Sequence, residues 1–252
     1  MSRPLPLPLP LALLALVLAS CTTDPPTEPL LPVMTVTITG APADGVVLNG
    51  STWQLIGSAL GPSGEPLSDR AIVWTSSEPG VATVNDQGRV DAKSLGETQL
   101  RARSEDLSAV LALSVREGTT VPSVGNSRSA TLLNGLLQLT IPVGAAPGGT
   151  VIHARSALQW PANARVLSGT VVEIGPAGTE LADQITVRVR FVPTTIPTNE
   201  RDVLRLYGVD AAGAWVELPN GNIDLNNSLV SAEIMRLTTV AIFRPAAALA
   251  TP

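Results

Sequence analysis

Trp74-Thr75-Ser76-Ser77-Glu78-Pro79-Gly80-Val81-Ala82-Thr83-Val84 is the stretch that decides the fold. Ala71-Ile72-Val73-Trp74 leads into it with the β-branched and aromatic composition of a strand. Ser76 to Gly80 then supplies turn residues, among them Pro79, which has no N–H to give to a ladder. Val81–Val84 and Arg89-Val90-Asp91-Ala92 read as the two arms of a hairpin, closed by Asn85-Asp86-Gln87-Gly88 with Gly88 in the turn. Ser76 and Ser77 are expected to cap the turn that leaves the first strand, and Trp74 to carry the largest side chain of a core.

The same punctuation continues on both sides. Met34-Thr35-Val36-Thr37-Ile38 alternates with period two and is broken by Gly40, Pro42, Asp44 and Gly45. Further strands are expected at Ser51–Leu55, Leu100–Arg103 and Val110–Val115, with Gly61-Pro62-Ser63-Gly64 as a turn. About seven short strands with turns at this spacing predict a β-sandwich over residues 33–115. Arg116-Glu117-Gly118-Thr119-Thr120-Val121-Pro122 reads as a polar join within a linker, 116–126. A second unit, 127–245, repeats the pattern. Ile185, Val187, Val189 and Phe191 are expected to point inward, and Thr186, Arg188 and Arg190 outward. More strands are expected near Ser129–Leu133, Leu136–Ile141, Val151–Arg155, Leu204–Gly208, Trp215–Leu218, Leu229–Ile234 and Thr239–Phe243, followed by a tail, 246–252. The fold class is all-β, two sandwiches in tandem.

Composition agrees and excludes several functions. The 252 residues include 21 Gly and 22 Pro, 44% are apolar, only 15% are charged and 3% aromatic. Charge is scarce against the usual ~25%, yet the apolar share is enough for real cores. The net charge of −5 and a single lysine, Lys93, disfavour nucleic acid, which needs a basic face. One His and one Cys exclude a Cys/His zinc site and a disulfide within the monomer. No metal or cofactor is expected.

The amino terminus reads as an address. Arg3, the apolar stretch Leu11–Leu18 and the small pair Ala19-Ser20 predict a signal peptide over 1–20, too short for the ~20 residues of a spanning helix. Leu18-Ala19-Ser20-Cys21 resembles the lipobox of bacterial lipoproteins. That resemblance implies cleavage between Ser20 and Cys21, a diacylglyceryl group on the Cys21 thiol and acylation of the new amino terminus. Acyl chains hold at ~0.8 kcal/mol per buried CH₂, so two or more anchor stably. The implied partner is the membrane through Cys21, and Thr22 at the next position resembles the outer-membrane sorting class. The prolines of residues 21–32 predict an extended tether at ~3.1 Å per residue.

Two further resemblances cover the body. Trp74 through Val84, with Gly88, Val90, Ala92 and Gly96, resembles the bacterial immunoglobulin-like group 2 (BIG2) domain, which implies a spacer or adhesion module. The second unit resembles a ZU5-like β-sandwich through Ile141-Pro142-Val143-Gly144-Ala145, Glu173-Ile174-Gly175-Pro176-Ala177-Gly178-Thr179 and Leu204-Arg205-Leu206-Tyr207 with Trp215 to Pro219. In some animal relatives a His-Phe-Ser triplet cuts its own backbone. Here Arg236-Leu237-Thr238 stands at the matching place, and a guanidinium cannot accept the proton.

No catalytic residue is assigned. Ser76 and Ser77 have no base in their own unit, and Gly-x-Ser-x-Gly, phosphate-loop, His-Glu-x-x-His and Gly-x-Gly-x-x-Gly patterns are all missing from the sequence. Asn220-Gly221-Asn222-Ile223-Asp224-Leu225-Asn226-Asn227 spaces oxygen side chains as calcium loops do, but Leu225 stands where Gly is needed and Ser231 where the bidentate Glu belongs, so a turn is expected. His153, flanked by Ile152 and Ala154, is expected to be a hydrogen-bonded scaffold residue. The function these residues support is a non-enzymatic, lipid-anchored envelope protein with a structural, adhesive or protein-interaction role. The first alternative is a surface protein that stacks sugars on Trp53, Trp160, Tyr207 or Trp215, and so takes a cell-surface glycan as partner. The second is an enzyme in the distal unit, built on His153 with a carboxylate in reach.

Overall fold

The computed structural model describes residues 30–245; the signal segment, Ser20, Cys21, most of the tether and the tail 246–252 lie outside the described residues. Every regular element among the described residues is a β-strand or a short 3₁₀ turn. The architecture is all-β, with antiparallel sheets stacked into two sandwiches.

The first unit holds nine strands: β1 (Thr35–Thr39), β2 (Val46–Leu48), β3 (Thr52–Gln54), β4 (Ile56–Leu60), β5 (Val73–Ser76), β6 (Ala82–Val84), β7 (Arg89–Ala92), β8 (Gly96–Ser104) and β9 (Leu107–Thr120). The expected hairpin is β6–β7, in which Ala82 faces Ala92 and Val84 faces Val90. Two strands go beyond the sequence reading, β2 and β4. Trp74 is buried, as expected, among Leu55, Ala59, Leu100, Leu113 and Val115. Gly57 on β4 lies so close to the indole that a Cβ there would sit 2.9 Å from Trp74 Cζ2. Aromatic burial of this kind dominates the energy of so small a core.

The second unit contains β10 (Arg128–Leu132), β11 (Leu137–Ile141), β12 (Val151–Ser156), β13 (Val172–Gly175), β14 (Glu180–Arg190), β15 (Arg205–Val209), β16 (Trp215–Glu217), β17 (Asn222–Asp224), β18 (Leu229–Arg236) and β19 (Thr239–Phe243). One layer is the five-stranded sheet β10-β11-β14-β18-β17. Ile185, Val187 and Val189 face inward with Leu137, Leu139, Ile141, Val230, Ala232 and Ile234. The other layer gives Ile152, Ile174, Leu206, Val240 and Ile242 to the same core. Each fully buried Leu or Ile contributes roughly 1.5–3 kcal/mol. The alternation seen in the sequence is thus the period-two burial of a sheet with one wet face. Part of the expected calcium-like turn, Asn222–Asp224, is instead the edge strand β17, and the turn proper follows it.

Arg116–Thr120, expected to open a polar join, continue β9 instead. Residues 107–115 of this strand pair with β8 in the first unit, and residues 117–120 pair with β12 in the second. A single sheet, β16-β15-β19-β13-β12-β9-β8-β5, therefore runs through both sandwiches. β2 adds to it in parallel, with Leu48 level with Arg116.

Candidate functional site

The junction is built from one row of residues. Gly118 on β9 is level with His153 on β12, which is level with Gly175 on β13. Ile152 and Ala154 point into the core, so His153 lies on the outward face of its sheet, yet it is only 4% exposed. The cover comes from the first unit. Asp44 Oδ2 is 3.7 Å from His153 Nε2, and Leu48 Cδ2 would be 2.6 Å from a Cβ on Gly118. A Cβ on Gly175 would meet the imidazole at 2.3 Å. The two glycines thus leave the room that His153 and Leu48 occupy.

Charge surrounds the imidazole. Glu173 Oε2 accepts from Arg155 Nε at 2.8 Å and Nη2 at 2.6 Å, while Arg116 Nη1 is 3.5 Å from Glu173 Oε1. Glu117 holds the connecting strand to the second unit by accepting the backbone N–H of Leu133. Burial, and next the Arg116 guanidinium, push the His153 pKa below its ordinary value, opposed by Asp44 and Glu173. His153 is a buried scaffold residue, but its Nδ1 has no hydrogen-bond partner among the described residues, which differs from the expected bonded imidazole. Asp44 Oδ2 is beyond hydrogen-bond distance of the imidazole. A general base needs reach to a substrate proton, and here the ring is under Asp44 and Leu48.

The other candidates fall in separate places. Ser76 Oγ is 2.9 Å from Thr98 Oγ1, and Ser77 Oγ accepts the N–H of Gln99 at 2.9 Å, so both tie the turn to β8 as expected. Thr98 Oγ1 also accepts the N–H of Glu78. Of the proposed sugar platforms, Trp215 meets Phe243 edge-on at 65° and donates to Pro161 O, while Tyr207 stacks on Phe243. Trp53 is half-buried in the other unit, and only Trp160 is exposed. These four residues do not form one flat platform. At Arg236-Leu237-Thr238, Leu237 is buried, Arg236 pairs with Glu180 and Thr238 donates to Val209 O, so no hydroxyl is aimed at the local peptide. Asp224 accepts hydrogen bonds from Asn227 Nδ2 and then from the Asn227 backbone N–H, which lower its pKa in that order, and no group of three or more metal-ligating side chains is found among the described residues. No helix among them is long and apolar enough to cross a membrane.

Sequence reasoning missed Asp44, Arg116, Arg155 and Glu173 as partners, because the junction that gathers them depends on β9 continuing. The available signal was a glycine on each strand beside the chain's one histidine.

With nine strands in sandwich form and a buried strand tryptophan described, the family comparison is decisive for the first unit. Residues 33–113 match the family model "Bacterial Ig-like domain (group 2)". The first sandwich is a bacterial Ig-like domain. Its core tryptophan and β6–β7 hairpin are the residues on which the resemblance rests. No curated protein matches the chain. Among solved structures, domains 4–9 of the surface layer protein SbsC are 13% identical, with TM-score 0.33, covering 62% of this chain and 29% of that one. Domains 5–6 of the S-layer protein SbsC are 15% identical with TM-score 0.32, covering 84% and 91%. The longer S-layer protein rSbsC(31-844) is 14% identical with TM-score 0.29, covering 87% of this chain and 41% of that chain. The chain spans less than half of the first and third of these. Scores this low do not establish a common fold.

Proposed function

We propose that this chain is a non-enzymatic spacer of a bacterial cell envelope, anchored by lipid at Cys21, whose bacterial Ig-like domain and distal sandwich act as one stiff arm. The observation that carries the reading is β9, shared by both units with His153 buried under Asp44 and Leu48 at their contact. A flexible join would let each module move alone, whereas a hydrogen-bonded strand resists bending. In this reading residues 1–20 are removed at Ser20–Cys21, residues 21–32 tether the arm to the outer membrane, and 127–245 is a ZU5-like module that meets a protein or glycan partner. The unit boundaries 33–115, 116–126 and 246–252 belong to the same proposal.

Two measurements test it. Cells fed an alkyne fatty acid should label the wild-type chain and leave Cys21→Ser unlabelled and released from membranes; labelled or membrane-held Cys21→Ser ends the anchor reading. Small-angle scattering should give a single extended envelope, which loosens when two glycines are inserted between Glu117 and Gly118. An unchanged profile after insertion ends the stiff-arm reading.

A further inference from the structure

The five-stranded sheet of the second unit keeps its outward face open, and that face holds a cleft of about 420 Å³. Four of its residues stand in one register row across four strands. Gln138 on β11 is level with Arg188 on β14, Arg188 with Ser231 on β18, and Ser231 with Asn222 on β17. At the usual strand spacing the row is about 14 Å long. One end is walled by Arg190, which donates to Gly135 O and Asn227 O, and by the turn that Asp224 and Asn227 close. Leu229, buried at 7% but outside the described core clusters, lies in its floor.

A polar outward face is the default for such a sheet; here that face is also concave, with fixed walls, and part of its hydrogen-bonding capacity is unspent: Ser231 Oγ donates to Asn222 O at 3.2 Å and keeps its lone pairs for a ligand. Arg188 donates one bond, from Nη1 to Thr140 Oγ1 at 2.9 Å, and the guanidinium carries five donors. The Gln138 amide has no side-chain hydrogen bond among the described residues, and Asn222 uses only Oδ1, on the N–H of Ile223. Amides that both donate and accept, a hydroxyl, a guanidinium and one apolar floor residue are the groups that recognise a polyhydroxylated ring: the amides pair with hydroxyls and the floor meets the ring's C–H face. Two guanidiniums against one carboxylate select a negative charge, and the planar fork of Arg suits a carboxylate. A peptide would gain little here, since the cleft lies on a sheet face and offers one apolar contact.

We infer that this row is a binding site for an acidic saccharide, in which Arg188 takes the carboxylate of a uronic-type sugar and Gln138, Ser231 and Asn222 bind hydroxyls of its neighbours. The site is independent of the lipid anchor and of the stiff junction, so it stands or falls without them. Unlike the aromatic platforms considered from sequence, it relies on hydrogen bonds spread along a row.

The test is calorimetric titration of the full chain with a galacturonate trimer, beside a neutral galactose trimer. Saturable binding of the acidic trimer is expected, about tenfold or more weaker in Arg188→Ala and in the neutral sugar, as for loss of a charge-assisted bond. Asn222→Ala should weaken it several-fold, and thermal melting should show all variants folded. No saturation up to about 10 mM overturns the inference, because binding that weak is not recognition. Equal binding by Arg188→Ala or by the neutral trimer overturns the assignment of the carboxylate.

Discussion

The second unit has two outward sheet faces, and they have been put to opposite uses. In one row across β9, β12 and β13 the outward residues are Gly118, His153 and Gly175, two of them without side chains, and the row is covered by the first unit. In one row across β11, β14, β18 and β17 the outward residues are Gln138, Arg188, Ser231 and Asn222, all polar, and the row is open. Missing side chains beside one buried ring mark a surface that another piece of the chain occupies. A continuous polar row marks one that water or a ligand occupies.

Filling the covered face should have the largest effect. Gly118→Val places a side chain where Ile152 O and Leu48 already are, and should cost about 3 kcal/mol or more, read as a lower urea midpoint. Glu173→Ala leaves Arg155 and Arg116 without their carboxylate and should cost about 1–3 kcal/mol by the same measurement. A near-neutral outcome would show that the charges are spectators of the junction.

Between pH 8 and pH 5, acid should act on the covered face. The folded-state pKa of His153 is lowered, so below its ordinary value of about 6.5 the unfolded chain binds more protons than the folded one. Stability should be full above that pH and decline as pH falls through it, faster than in His153→Gln. The difference between the two melting curves from pH 8 to pH 5 checks the sign. Parallel curves would mean the imidazole titrates as it does in water. The smallest effect belongs to the open face: Arg188→Ala should stay within about 0.5 kcal/mol of the parent, since the residue serves no core.

The strands that alternate strictly were readable because a half-buried sheet writes its burial into the chain. β14 is the clearest, with Ile185, Val187 and Val189 buried between outward Thr186 and Arg188. β2 was hidden because Val46-Val47-Leu48 pairs in parallel with a distant segment and has no alternation to show. β4 was hidden by Gly57 and Ser58, which break the apolar run; Gly57 lacks a side chain where Trp74 needs the space. Arg116–Thr120 looked like a join for a similar reason: its charge and its glycine serve the second unit's surface, and composition does not reveal that the ladder goes on. The open row was legible only as outward polarity at Arg188 and Arg190. Which residues align beside them is set by register, and register between distant strands is not a property of any local window. The sugar platforms failed as a set because Tyr207 and Trp215 use their rings on Phe243.

β9 also gives the molecule a mechanical character. Pulled between its two sandwiches, the protein has no slack segment to pay out at the contact. Tension passes along one backbone whose flanking bonds to β8 and β12 lie across the pull, so they must slide together in shear and not unzip one after another. The arm should therefore hold its length under load until a sandwich itself gives way.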